Sequence, residues 1–205
     1  DAAALSYRDR AIVKGILQIA QTCVDAHRRL IQLARILHVD RLVRRYEELL
    51  PGSLPRRDGR VLDNVREILE HLDGRTDVRS YLLTGNTRAG ARAKLTYYKL
   101  AHFFPDGAFA EDTGARARIA SRALDLAKQA GPIADDQIFV IGDTPHDIEC
   151  ANAIDAKTIA VATGGYSVEE LKPHNPGRLY ETLPAPPEFV RLIEEPVGAS
   201  RGRRP

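Results

Sequence analysis

The sequence contains no methionine and only two cysteines in 205 residues. Cys23 and Cys150 lie far apart with no paired spacing, which excludes a disulfide framework and a thiolate zinc site and leaves buried, reduced thiols as the expectation. No run approaches the roughly 18 uninterrupted apolar residues that a membrane-spanning helix needs, and no charged-then-apolar leader precedes a small-residue cleavage site. A cytoplasmic setting is expected. Charge of one sign is also lacking: 30 Lys and Arg stand against 28 Asp and Glu, a formal balance of +2 that does not advertise nucleic-acid binding. Gly and Pro number only 15 and 12, while hydrophobic residues make up 43% and charged residues 28%, which is globular composition and neither fibrous nor disordered. The absence of Met from a chain that opens at Asp1 is the pattern of an internal fragment, so a segment ahead of Asp1 is expected.

What is present divides into three stretches. From about Tyr7 to Leu50, Ile12, Ile16, Ile19 and Cys23, then Leu30, Ala34 and Leu37, recur at helical spacing, so residues 1–57 read as an all-helical block. Pro51-Gly52-Ser53-Leu54-Pro55 is expected to break it, and Arg56-Arg57-Asp58-Gly59-Arg60 reads as a linker. Over 58–196 helical patterns (Val61–Leu72, Arg88–His102, Arg116–Gln129, Asp147–Ala153, Glu188–Glu194) alternate with short apolar segments (Arg79–Leu83, Phe109, Gln137–Ile141, Thr158–Val161). That alternation predicts an α/β unit with parallel pairing and right-handed crossovers. Residues 197–205, ending Arg201-Gly202-Arg203-Arg204, read as a basic disordered tail.

Two strand ends carry chemistry. Phe139-Val140-Ile141 runs into Gly142-Asp143-Thr144-Pro145-His146-Asp147, which delivers the Asp143 carboxylate to the carboxyl edge of the sheet, where open α/β proteins bind ligands. Asp147, about one helical turn on, can return to the same side, and two hard oxygen donors suit Mg2+. The alternative is that both residues serve the start of the following helix. The second strand end is Tyr81-Leu82-Leu83-Thr84-Gly85-Asn86, where a Thr hydroxyl and the amides of a tight turn before a helix can donate to a phosphoryl group; an ordinary capped turn is the competing reading.

Thr84-Gly85-Asn86, then Gly142-Asp143-Thr144-Pro145-His146-Asp147, then Ala162-Thr163-Gly164-Gly165 resemble the haloacid dehalogenase-like (HAD) hydrolase superfamily, and within it the phosphoglycolate phosphatase-like members. The likeness covers most of residues 60–172, and the helical block before it is similar to the family's cap. The resemblance implies a Rossmannoid parallel sheet and a Mg2+-dependent phosphohydrolase that works through an aspartyl-phosphate on a small phosphorylated metabolite. Thr84 matches the family's second motif, with Gly85 and Asn86 in the same phosphate-binding turn, and Asp143 and Asp147 match the fourth. The third motif, a basic residue that neutralises the phosphoryl group, is usually Lys. In the corresponding segment Glu111–Arg118 this chain offers Arg116 or Arg118, and an Arg fork can bind phosphate bidentately. Arg116 is preferred, with Lys94 in reserve.

The first motif is an apolar strand ending in Asp-x-Asp, and Asp1-Ala2-Ala3-Ala4 does not supply it. In the family that strand lies between the strands ending at Thr84 and Gly142, so the resemblance implies a sheet interrupted at its centre and an N-terminally truncated chain. Two other readings stand beside the phosphatase. One is a 2-haloacid dehalogenase, which attacks carbon without Mg2+; the other is a non-catalytic α/β module that binds phosphate or serves interaction. His146 sits in the metal loop as a candidate substrate contact or a structural residue, whereas His27, His38, His71, His102 and His174 show no ligand spacing.

Overall fold

The computed structural model describes residues 39–56, 59–110 and 116–194, with the side chains of Val39, Asp40, Arg116 and Asp135 outside that description. The expectations for Tyr7 to His38, including the Cys23 thiol, and for the basic tail therefore lie outside the described residues. Helix α1, Val39–Ser53, is what the structure describes of the helical block. It runs through Pro51 and ends two residues later than the proline signal predicts, with Leu54–Arg56 forming a single 3-10 turn after it. The Ser53 hydroxyl donates to the Leu49 carbonyl at 2.8 Å, so the last turn has a side-chain donor for one of its carbonyls.

Beyond the linker the order is α2 (Val65–Leu72), β1 (Leu82–Leu83), α3 (Arg88–Tyr97), β2 (Gly107–Ala108), α4 (Arg116–Gln129), β3 (Phe139–Gly142), α5 (Pro145–Asn152), β4 (Lys157–Val161), α6 (Val168–Leu171), β5 (Arg178–Tyr180) and α7 (Pro186–Glu194). The expected alternation is present. Strand β5 and the one-turn α6 were not foreseen, and the strand expected at Phe109 is at Gly107–Ala108. In α2, Val65, Ile68 and Leu69 recur at helical spacing and are buried, which is why this short segment folds as a helix against the sheet. In β4, four consecutive residues from Thr158 to Val161 are buried, the mark of a parallel strand covered on both faces.

Among the described residues the strand pairings are parallel and form two sheets. Strand β1 pairs with β2 in register Leu82 to Gly107, while β4 is paired on one side with β3 and on the other with β5. Strands β1 and β3 do not pair with each other: among the described strands the sheet is split between them, as the resemblance implies. One hydrophobic core nevertheless spans both pieces, joining Leu82, Leu95 and Phe109 to Ile159, Val161 and Phe189. Between the pieces lies an apolar groove of about 480 Å³. Its walls include Leu82 and Leu83 on one side and Phe139, Val140 and Ile141 on the other, with Ile68, Leu69 and Phe189 among its further lining residues.

Candidate functional site

Polar side chains are seldom buried without a reason, because each must recover the hydrogen bonds it had with water. The buried polar and charged residues among those described are Thr84, Asn86, Lys94, Asp143, Thr144, Asp147 and Thr158. All but Thr158 belong to the two strand ends or to the helix that follows one of them.

At the end of β3 the arrangement is local. The Asp147 carboxylate turns back so that Oδ2 accepts from the Asp143 amide at 3.1 Å, the Thr144 amide at 3.0 Å and the Thr144 hydroxyl at 2.8 Å. It is the third residue of α5 and caps the amides at the start of its own helix, where Pro145, lacking an N–H, loses nothing. Gly142 makes the turn possible. A Cβ there would overlap Asp147 Cβ, Cγ and Oδ2, so only a bare Cα lets the carboxylate lie against the strand. Asp143 is 1% exposed and borders a cavity of about 290 Å³ that is also lined by Arg60, Asp63, Thr163 and Gly164. The glycine-containing turn after β4, suspected of approaching the site, therefore shares a cavity with Asp143.

At the end of β1 the arrangement is assembled from further away. The Thr84 amide is held by the Ala108 carbonyl at 3.1 Å, and the Asn86 carbonyl accepts from the Ala110 amide at 3.0 Å, so β2 and the residues just after it fix both ends of the turn. The Thr84 hydroxyl accepts from the Asn86 amide at 3.1 Å, and Thr87 caps α3 by accepting from the Gly90 amide at 3.0 Å. Asn86 Oδ1 accepts from the Thr87 amide at 2.9 Å and from the hydroxyl of Tyr46, in α1, at 3.3 Å. The ammonium of Lys94 lies 5.9 Å from the centre of the Tyr46 ring. Outside the turn, Arg88 Nη1 donates to Asp106 Oδ1 at 2.9 Å while its guanidinium stacks 4.2 Å above the Phe109 ring, pinning the first turn of α3 to β2. That guanidinium, with the Gly107 amide next in weight, holds the Asp106 carboxyl below the ordinary aspartate range.

Of the basic candidates, Lys94 is buried, Arg118 is exposed on α4, and the side chain of Arg116 lies outside the described residues. His146 Nδ1 pairs with Glu149 Oε2 at 2.9 Å on the first turns of α5. Cys150 is buried in that helix, as expected. Sequence reasoning missed Tyr46, for which no local signal exists, and Thr87, which a Thr immediately ahead of the helix that opens at Arg88 could have marked as a cap.

The described residues contain no group of three or more His, Cys, Asp or Glu placed to hold a metal ion. No described helix is long and apolar enough to cross a membrane.

Comparison with known proteins bears on the fold. The HAD-hydrolase-like family matches residues 113–185. Among solved structures, a hydrolase from Pseudomonas syringae is similar at a TM-score of 0.58 and 21% identity, covering 80% of this chain and 74% of that one. A predicted phosphoglycolate phosphatase from Haemophilus somnus is similar at 0.57 and 18%, covering 73% of this chain and 60% of that one. A haloacid dehalogenase-like family protein from Streptococcus pneumoniae is similar at 0.55 and 19%, covering 65% and 60%. No curated protein matches. The chain spans about 60% of the length of several of the solved chains it resembles. In fold, and over residues 113–185 in sequence, this chain resembles the HAD-like hydrolases.

Proposed function

We propose that the chain is part of a phosphomonoesterase of the HAD type, acting in the cytoplasm on a small phosphorylated metabolite. The observation that carries this reading is the burial of Thr84, Asn86, Asp143 and Asp147 where two strands that flank one apolar groove run into their helices, with Lys94 buried on the helix after the first. A groove of that lining suits a strand that is apolar on both faces. Such a strand, ending in Asp-x-Asp, would bring a carboxylate nucleophile between the Thr84 turn and Asp143. The nucleophile would attack phosphorus in line, the P–O bond to the alcohol would break, and water would later release phosphate from the aspartyl-phosphate.

In this reading the Thr84 hydroxyl, the Gly85 and Asn86 turn, and a cation hold the phosphoryl oxygens. Arg116, in the first turn of α4, and Lys94, buried on α3 with its ammonium over the Tyr46 ring, are the cations that would serve. Asp143 offers a hard carboxylate beside the cavity it borders, and Mg2+ takes few protein carboxylates and keeps several waters, so Asp143 would be the direct ligand and Asp147 would hold the backbone that carries it. When bound, Mg2+ would offset the charge of the phosphoryl group. The acidic pair favours this over the dehalogenase, which has no use for a cation site.

The test is turnover of p-nitrophenyl phosphate. Residues 1–205 alone are expected to be inactive, and a chain extended by an apolar strand ending in Asp-x-Asp is expected to be active, sensitive to EDTA and silenced by Asp143→Asn. Turnover by residues 1–205, abolished by EDTA and by Asp143→Ala, would place the nucleophile elsewhere. An extended chain that binds phosphate without turnover would favour the non-catalytic module.

A further inference from the structure

We propose that Tyr46 is a positioning residue for the anion-binding turn: reaching across from α1, it fixes the Asn86 carboxamide with the Nδ2 donor presented to an incoming phosphoryl group. The inference rests on the reading of Thr84–Asn86 as the phosphoryl site. Asn86 is 2% exposed, and its side chain has one accepting end and one donating end. The accepting end is committed twice, to the Thr87 amide at 2.9 Å and to the Tyr46 hydroxyl at 3.3 Å. Turning the carboxamide over would set its NH2 against the Thr87 amide, a donor that cannot reverse, so that contact selects the orientation and the Tyr46 hydroxyl, donating to the same oxygen, holds the carboxamide in it. Nδ2 makes no hydrogen bond to a described residue, and a buried amide donor of that kind is complemented by an acceptor.

The surroundings select a negative one. Nδ2 belongs to the turn that opens α3, whose amino end carries partial positive charge, and Lys94 is buried one face of the Tyr46 ring away. Gly90 makes room for the contact: a Cβ at that position would stand 2.7 Å from Asn86 Oδ1 and 3.0 Å from Tyr46 Cε1. Tyr46, Asn86, Gly90 and Lys94 thus form one unit that ties the helical segment before the linker to the turn. The docking of α1 on α3 sets how well the turn holds an anion, and through this contact the segment ahead of the α/β unit acts on the phosphoryl site.

The experiment is calorimetric titration of residues 1–205 with inorganic phosphate, for the unaltered chain, Tyr46→Phe and Asn86→Asp, together with thermal melting. Tyr46→Phe keeps the ring and removes one neutral hydrogen bond, so phosphate affinity should fall about 3- to 10-fold while the melting temperature stays within about 2 °C. Asn86→Asp replaces the donor with an acceptor and should abolish binding. In 15N spectra the Asn86 side-chain NH2 resonances should shift on adding phosphate, and in Tyr46→Phe they should broaden. Tyr46→Phe with unaltered affinity and unaltered Asn86 resonances, or with affinity lost only in step with melting temperature, overturns the positioning role. Failure of the unaltered chain to bind phosphate overturns the phosphoryl reading itself, and the positioning role with it.

Discussion

The two strand-to-helix turns at Thr84–Arg88 and Gly142–Pro145 occupy equivalent places in the fold and are built in opposite ways. At Gly142 everything needed lies within six residues: a glycine with no Cβ, a proline with no N–H, and an aspartate whose one oxygen serves two amides and a hydroxyl. At Thr84 the turn draws on Ala108 and Ala110 of the neighbouring strand region and on Tyr46, forty residues upstream. A locally encoded turn keeps its shape when distant elements move. One assembled from distant pieces reports on whether those pieces are docked.

The comparison is most severely tested at Gly142. Replacing it with Ala forces the new methyl into the Asp147 side chain, and because that carboxylate holds the helix start it cannot simply swing away. The expected loss is about 2–3 kcal/mol in urea unfolding, in the range of overpacked cores. A loss below about 0.5 kcal/mol, well under that range, would mean that the turn relaxes easily and is not locally fixed.

Next in size are the two caps taken as a pair. Asp147→Ala leaves two buried amides and a buried hydroxyl without their acceptor, and Thr87→Ala removes one acceptor at a partly buried turn. Asp147→Ala should cost about 2 kcal/mol or more, and Thr87→Ala about 1 kcal/mol. Equal costs, measured by the same unfolding midpoints, would erase the distinction between the turns.

The smallest effect is a pH dependence at the outer clamp of the Thr84 turn. The Arg88 guanidinium holds the Asp106 carboxyl below its ordinary value, so its contribution is fully present above the ordinary aspartate range and is lost as pH falls through the lowered folded value. Both side chains are substantially exposed, which limits the pair to under about 1 kcal/mol. Asp106→Asn should therefore lower stability slightly at pH 7 and make no difference near pH 2; a gap that persists at acid pH would show that the carboxylate charge is not what matters.

Much of this was legible because it is local. Period-3.6 and short apolar segments marked α2, α4 and β4, and the helix Arg116–Gln129 has the predicted limits. The Gly-Asp turn stood out because its chemistry is contained in Gly142–Asp147. Strand β5 was missed because Arg178–Tyr180 is three half-buried residues whose pairing with β4 stabilises them more than their own pattern does. The proline signal at Pro51 was read as a stop, yet α1 continues to Ser53.

By itself the sequence determined the α/β class, the parallel order of strand and helix, and the acidic turn after β3, since all depend on periodicity and on contacts within one helical turn. Only the tertiary structure decided that β1 and β3 stand apart across an apolar groove, that Lys94 is buried while Arg118 is not, and that Tyr46 joins the Thr84 turn. These are matters of which surfaces meet after the chain has closed loops of tens of residues, and no local pattern of residues carries that information.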